Sequence, residues 1–178
     1  RPALRLIGAV EEENPAGREL ETVSFAPFVA AYKKGETLPT LSVPETVRPA
    51  IEKSAIETWG KPPVTITLRE CDHAPYRNSN VEEWLKLAKW LQDQGEAVVI
   101  LRDTAFADMP LDGFQIYPPA SQNLLIRAGL YSIAKCNLFV ANGPATLAFF
   151  MDRPFLMFNE LREEAMYWAN TEAGWRHF

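Results

Sequence analysis

From residue 64 onward, short continuous apolar runs recur along the chain and are separated by more polar segments. The runs are VTITL (64–68), AVVIL (97–101), NLFVA (137–141) and PFLMF (154–158). They are rich in β-branched and aromatic residues, and they are bounded by proline, glycine or polar clusters, which is the pattern of strands. Because they show no sustained alternation of apolar and polar positions, we expect strands that are buried on both faces of a sheet.

Between these runs, apolar residues recur at the three- and four-residue spacing of an amphipathic helix. The clearest helix begins at the capping-box sequence SNVE (79–82), ends at Gly95, and places on one face Val81, Trp84, Leu85, Ala88 and Leu91. A second helix is expected from its cap at Ser121 to Lys135, and a short one after Asn142. Strands that alternate with helices predict an α/β fold, a Rossmann-like parallel sheet with helices on both faces.

The first 60 residues follow a weaker pattern. A short strand is expected at Leu4–Val10 and a helix at Glu19–Tyr32. Prolines at positions 39, 44 and 49 then predict an extended linker, since proline fixes φ and removes a backbone donor. Further helices are expected at Arg48–Trp59 and, near the end of the chain, at Leu161–Trp168.

This change of pattern divides the chain into two parts. We expect residues 1–60 to be a partial N-terminal segment with its proline-rich linker, and residues 61–178 to be the Rossmann-like domain. A length of 178 residues, 47% of them hydrophobic, is enough for one domain or slightly more. Because the chain begins Arg-Pro without a methionine, we expect it to be a piece of a longer protein that lacks an N-terminal domain.

Composition argues against several classes of function. The formal net charge is −5 and lysine and arginine form no cluster, so we expect no nucleic-acid partner. No apolar run approaches the ~20 residues of a membrane span, and the start of the chain has no secretory signal. Two cysteines, Cys71 and Cys136, make no disulfide framework, so we expect a reducing, cytoplasmic setting.

The segment NGPAT, Asn142 to Thr146, separates the last two apolar runs and predicts a binding site. In an open parallel sheet, ligands bind beyond the carboxyl ends of the strands. Gly143 lets a ligand approach the backbone, and Pro144 suits the first position of a helix. Ala145 and Thr146 would leave unpaired N–H groups that, with the helix dipole, favour an anion. A tight strand-to-helix turn without a ligand explains the pentapeptide equally well.

Polar residues after the other strands favour a phosphate-bearing ligand. Arg69 and Arg77 follow the first run, Arg102 and Asp103 follow the second, and Glu160 follows the last. Arginine can give a phosphate two parallel hydrogen bonds. Glu160 suits ribose or sugar hydroxyls, or equally the positive end of a helix dipole. A ligand that carries both phosphates and hydroxyls fits this set.

The sequence Cys71-Asp72-His73 invites a metal site or a Cys/His catalytic dyad. A zinc site needs three or four ligands with recognisable spacing, and the other histidine of the chain is His177, next to its end. No Asp-x-Asp sequence occurs. We therefore expect no metal site, a loop cysteine and a surface histidine.

The stretch IAKCNLFVANGPATLAFFMDRPFLMFNE (133–160) resembles the C-terminal half-domain of GT-B glycosyltransferases, most nearly the heptosyltransferase-like and fucosyltransferase-like enzymes. The resemblance covers residues 62–160 and includes a strand, a short glycine-containing turn, a small-residue helix and a proline before the next strand. At the turn, Asn142 stands in place of an acidic residue or serine, and no histidine follows. TLRE, ending in Glu70, is similar to the strand end that carries an arginine in fucosyltransferase-like enzymes, although Cys71 replaces its usual acidic partner.

The resemblance implies the donor-binding part of a glycosyltransferase, which moves a sugar from a nucleoside-diphosphate sugar to an unknown acceptor. The sugar would be linked to GDP or ADP, and the reaction would need no metal and no other cofactor. Arg69 would stabilise the leaving diphosphate, and the other ligand-binding residues would be Arg77, Asn142, Gly143, Pro144, Ala145, Thr146 and Glu160. The acceptor site and the general base would lie in the N-terminal domain, so this chain alone would be an incomplete enzyme.

Two other functions fit the same sequence. One is a non-catalytic module that binds a nucleotide-sugar or a phosphate. The other is a GT-B-fold nucleotide-sugar 2-epimerase, which needs acid and base carboxylates and a histidine in its cleft, whereas this chain has only two histidines.

Overall fold

The computed structural model describes residues 33–36 and 40–158. Within these residues, five parallel strands form one sheet: β1 (Val64–Thr67), β2 (Val98–Leu101), β3 (Gln115–Ile116), β4 (Cys136–Val140) and β5 (Phe155–Phe158). The four apolar runs supply β1, β2, β4 and β5, and the loop after β2 contains the two-residue strand β3. Helices flank the sheet, so the predicted Rossmann-like α/β fold is confirmed.

The strand order is β3-β2-β1-β4-β5, which places β1 in the centre of the sheet. Thr67, the last residue of β1, pairs with Leu101 of β2 on one side and with Phe139 of β4 on the other. The chain order of the strands reverses at β1, because β2 and β3 lie on one side of it and β4 and β5 on the other. The carboxyl ends of β1 and β4 therefore flank the switch point, where ligands bind in open parallel sheets.

The described residues form five α-helices, namely α1 (Arg48–Trp59), α2 (Val81–Asp93), α3 (Pro118–Gln122), α4 (Leu124–Ile133) and α5 (Ala145–Phe149). Two single 3₁₀ turns, Pro75–Arg77 and Thr104–Phe106, lie in the loops that follow β1 and β2. Helix α2 has the expected amphipathic pattern, and its buried residues are Trp84 and Ala88.

The two faces of the sheet differ in chemistry. On the α2 face, Trp84 and Ala88 pack in an apolar core with Val64, Ile66, Leu68, Val98, Ile100 and Leu138. The opposite face, covered by α4, buries polar side chains that bond to each other. Thr65 Oγ1 donates to Asn137 Oδ1 at 2.7 Å, and the hydroxyls of Thr67 and Tyr131 share a hydrogen bond of 2.6 Å. These buried polar groups are stable there because each has a partner.

Asn80, rather than Ser79 as the capping box predicts, caps α2. The Oδ1 atom of Asn80 accepts from the N–H of Glu83 at 3.4 Å. Ser79 is drawn away from the helix because its hydroxyl accepts from the N–H of Arg69 at 2.8 Å. The cap thus moves by one residue, and Ser79 ties the end of β1 to the start of α2.

The helix expected from Ser121 begins later in the structure. Pro118 starts the separate five-residue helix α3, and Asn123 then adopts extended backbone before α4 begins. The side chain of Asn123 caps α4 by accepting from the N–H groups of Leu125 at 2.9 Å and Ile126 at 3.1 Å. Ser121 is therefore not the cap, because the extended residue Asn123 interrupts the helical periodicity.

Residues Ser42–Glu160 form one compact unit, which includes α1 as well as the sheet. Helix α1 contacts α4, where the side chain of Ile51 lies against the backbone of Gly129. The other unit, Arg1–Leu41 with Leu161–Phe178, lies almost wholly outside the described residues, and so do the elements expected at 4–10, 19–32 and 161–168. In the part of the chain that is described, no helix is long and apolar enough to span a membrane.

Candidate functional site

Two loops meet beside the switch point, one after β1 and one after β4. Arg77, in the loop after β1, donates through Nη2 to the carbonyl oxygen of Ala141 at 3.4 Å. Ala141 directly precedes the NGPAT turn, residues 142–146. The structure therefore brings Arg77 to the turn, as two strand ends on the same edge of a parallel sheet predict.

Within the NGPAT turn, the side chain of Asn142 bonds to the backbone, and Pro144 is the N-cap residue of α5. The Oδ1 of Asn142 accepts from the N–H of Ala145 at 2.9 Å, and the N–H of Thr146 donates to the carbonyl of Gly143 at 3.1 Å. The expectation that the N–H groups of Ala145 and Thr146 are unpaired is therefore wrong. The turn holds its own donors, because an asparagine two or three residues before a helical N–H offers it a local acceptor.

Gly143 is exposed and has ordinary backbone geometry. Its φ is not positive, and a Cβ built on it would meet no atom within 4 Å. The turn therefore does not need glycine to relieve strain at this position. What the lack of a side chain leaves is open space against the backbone at the end of β4, in which a ligand can approach.

Arg69 is buried at the end of β1, with 7% of its surface exposed. Its guanidinium folds into the loop that follows. Nη1 donates to the carbonyl of Ala74 at 3.1 Å and to Oδ1 of Asn78, and Nη2 donates to the carbonyl of His73 at 2.5 Å. These bonds use three of the five N–H groups of an arginine. Arg69 thus holds residues 73–78 in place from below.

The same loop is held at further points. The side-chain amide of Asn78 accepts from the N–H of Cys71 and donates to its carbonyl, both at 3.0 Å. Ala74 has φ 50°, the left-handed conformation that costs an ordinary residue about 1 kcal/mol or more. A strained residue persists when the surrounding bonds fix it. Here Arg69 donates to both Ala74 and Asn78, and these bonds hold Ala74 in its left-handed conformation.

Arg77 differs from Arg69 in its surroundings. It is half-buried, and its hydrogen bond to Ala141 is long. Within the described part of the chain, the ion pairs do not include Arg77. Its charge is therefore more available to an anion at the switch point than that of Arg69.

A buried ion pair joins the ends of β1 and β2. Arg102 donates through Nε to Oε2 of Glu70 at 2.9 Å and through Nη2 to Oε1. The carboxylate of Asp103 accepts from the backbone N–H of Glu70 at 2.7 Å. The hydrogen bond that Arg102 donates to Glu70 raises the pKa of Arg102. Because the guanidinium of Arg102 and the carboxylate of Glu70 bind each other, we assign Arg102 a structural role beside the site and not a ligand contact.

Of the remaining predicted site residues, Glu160 lies outside the described residues. Asp72 and His73 are exposed, and Cys71 is half-buried. No group of three or more His, Cys, Asp or Glu side chains among the described residues could hold a metal ion. The hydrogen bonds of Asn78 and Ser79 were not predicted from the sequence. Their side chains follow a strand-end arginine and precede a helix, and this position is the signal that they bond to the loop.

The fold has a counterpart among solved structures. The structure of ADP-heptose LPS heptosyltransferase II from E. coli is similar to this chain with a TM-score of 0.55 and 14% sequence identity. The similarity covers 77% of this chain and 43% of the heptosyltransferase, so the chain spans less than half of that protein's length. No family model and no curated protein matches the sequence. At this level of identity the likeness shows a heptosyltransferase-like fold and nothing finer.

Proposed function

We propose that this chain is the nucleotide-sugar-binding part of a glycosyltransferase, which transfers a sugar from a nucleoside-diphosphate sugar to an acceptor. The observation that carries the proposal is the meeting of Arg77 with the end of β4 at the switch point. The heptosyltransferase-like fold supports it, since the solved protein of that fold is named for a reaction with an ADP-linked heptose.

The chemistry follows from the charge that develops in such a reaction. When the bond between the anomeric carbon and the diphosphate breaks, negative charge builds up on the leaving diphosphate. A fixed guanidinium at that position stabilises the transition state more than the ground state and lowers the barrier. Arg77 is the group for this role, and the open backbone at Gly143 provides the approach.

Arg69 serves the same site in another way. Its guanidinium fixes the loop that carries Arg77, so that the position of Arg77 is set before the ligand arrives. Such preorganisation reduces the ordering cost of binding.

The experiment is calorimetric titration of the chain with ADP, GDP, UDP and CMP. We expect a nucleoside diphosphate to bind, and Arg77→Gln to weaken it about tenfold or more, because a hydrogen bond to a charged group contributes about 1.5–3 kcal/mol. The matched control is Arg153→Gln, which removes the same charge from an exposed residue that precedes β5, at the opposite edge of the sheet. Equal affinities of the two variants, or no diphosphate binding at all, would refute the proposal.

Binding without turnover is the second candidate function, since the described contacts of Arg77 and of the NGPAT turn are those of an anion-binding site and do not include a general base. A non-catalytic module would bind the diphosphate as above. Incubation of the bound nucleotide-sugar with the chain would then release no free nucleoside diphosphate, and addition of any partner domain would not change this.

A further inference from the structure

Three arginines are buried in the described part of the chain, and they differ in how their charge is balanced. Arg69, Arg102 and Arg127 are 7%, 9% and 5% exposed. Arg102 pairs with the carboxylate of Glu70. The ion pairs of the described residues include neither Arg69 nor Arg127. Two guanidinium charges are therefore buried without a carboxylate from this part of the chain.

Arg127 lies on α4, the helix that covers the polar face of the sheet. Its Nε donates to the carbonyl of Ala120 at 2.6 Å. Tyr131 lies one turn further along the helix, and burial raises the pKa of its hydroxyl. The charge of Arg127, a hydrogen bond with Arg127 and the hydrogen bond with Thr67 all oppose this rise. The donors of Arg127 thus have neutral partners, but a neutral partner does not cancel the charge.

The fold places Arg127 near the carboxyl ends of the strands. Helix α4 ends near the opposite edge, because the N–H of Lys135 donates to the carbonyl of Pro63, which precedes β1. Tyr131 reaches Thr67, the last residue of β1, at 2.6 Å. Arg127 precedes Tyr131 by one helical turn, so it lies nearer still to the edge where β1 ends.

Arg69 belongs to the same region. It follows Thr67 by two residues, and alternate residues of a strand share a side of the sheet. Together with Arg77, this gives three arginines around the end of β1 that have no carboxylate partner among the described residues, in a chain whose net charge is −5. Burying an unpaired charge costs several kcal/mol, so such a concentration is stable only if an anion shares the site or if the protein tolerates the cost for function.

We propose that Arg127 is an electrostatic positioning residue of the switch-point site, which makes the site selective for ligands with two phosphates over ligands with one. The inference rests on the proposed function, since it assigns the ligand to the same edge of the sheet. Arg127 acts through the protein interior rather than by contact. Water screens a buried charge weakly, so its attraction reaches the carboxyl edge and grows with the charge of the ligand.

The test compares Arg127→Met with Arg127→Lys. Methionine removes the charge and keeps much of the volume, whereas lysine keeps the charge. A third variant, Tyr131→Phe, removes a neighbouring hydroxyl and leaves the charge of Arg127 in place. For each protein, the affinities for ADP, AMP and inorganic pyrophosphate are measured at two salt concentrations, and the thermal unfolding midpoint is measured without ligand.

We expect Arg127→Met to lose about tenfold in affinity for ADP and for pyrophosphate, and less than threefold for AMP. Arg127→Lys should retain most of the preference for ADP over AMP, and Tyr131→Phe should retain all of it. Without ligand, Arg127→Met should unfold no earlier than the wild type, because the variant no longer buries an unpaired charge.

Other outcomes overturn the inference. If Arg127→Met loses affinity for ADP and AMP equally, or if Tyr131→Phe has the same effect, Arg127 is a structural residue only. If Arg127→Met does not fold, the Arg127→Lys variant decides. Loss of its preference for two phosphates over one would also show that Arg127 is a structural residue only. A wild type that binds pyrophosphate but does not bind ADP would refute the proposed function and leave the role of the Arg127 charge intact. A wild type that binds neither ligand would refute both proposals.

Discussion

Arg102 donates to both carboxylate oxygens of Glu70, and this bidentate pair ties the end of β2 to the residue that follows β1 by three positions. The side chains of the pair are only 9% and 11% exposed. Arg102 also donates through Nη1 to the carbonyl of Met109 at 2.9 Å and lies over the ring of Phe106. The pair therefore fixes the edge of the sheet on which the candidate site is built.

Breaking this pair should cost much stability. Glu70→Gln leaves the guanidinium of Arg102 buried without its counter-charge, and removal of one member of a buried pair typically costs about 3–5 kcal/mol. We expect a loss of about 3 kcal/mol in the free energy of unfolding, measured by urea denaturation. Glu82→Gln is the control, because Glu82 pairs with Lys86 on an exposed surface and should change stability by about 0.5 kcal/mol or less. Similar losses in the two variants would show that burial does not matter here.

Replacing Arg69 should loosen one loop rather than the whole domain. Arg69→Ala removes the bonds to His73, Ala74 and Asn78. We expect the backbone amides of residues 73–78 to exchange with solvent faster, while those of the central strands stay protected. Affinity for the nucleoside diphosphate should fall about tenfold or more, since Arg77 is no longer held in place. Unchanged exchange in this loop would contradict the role assigned to Arg69.

Gly143→Val should separate folding from binding. Because Gly143 has ordinary φ and open space around it, the variant should keep the stability of the wild type to within about 0.5 kcal/mol. Its side chain would fill the approach to the turn, so nucleotide affinity should fall. The control is Gly95→Val, whose φ of 79° disfavours any side chain and should lower stability by about 1 kcal/mol or more. A Gly143→Val variant with normal affinity would mean that the NGPAT segment is a turn and not a binding site.

The contact between α1 and α4 predicts that Gly129→Ala destabilises the wild type but stabilises a variant without the Ile51 side chain. A Cβ on Gly129 would lie 1.9 Å from Cδ1 of Ile51, so Gly129→Ala should destabilise the wild type by about 1–3 kcal/mol. In an Ile51→Ala background the clash is gone, and the same change should stabilise by up to about 1 kcal/mol because alanine is the better helix former. A double-mutant cycle measured by denaturant unfolding checks this, and additive effects would show that the two helices do not pack as described.

The elements of this domain, and the edge of the sheet that carries the candidate site, could be predicted from the sequence alone. The β-branched runs and the helical spacing of Val81, Trp84 and Ala88 reflect local steric preferences and local burial patterns. These are properties of consecutive residues, so they can be recognised without the fold. Parallel strands share one edge for their carboxyl ends. For that reason Arg69, and with it the loop that carries Arg77, could be expected near the NGPAT turn.

The hydrogen-bond partner of each polar group, in contrast, depends on the packed fold. The sequence suggested free N–H groups after Pro144 and a phosphate-facing Arg69. In the structure Asn142 accepts from the N–H of Ala145, and the guanidinium of Arg69 donates to carbonyls of the following loop. A donor takes whichever acceptor the folded chain brings within about 3 Å, and several candidates lie close in sequence. Sequence spacing cannot rank them. The unbalanced charge of Arg127 likewise depends on which carboxylates the fold keeps away, and that is a property of the whole packed domain.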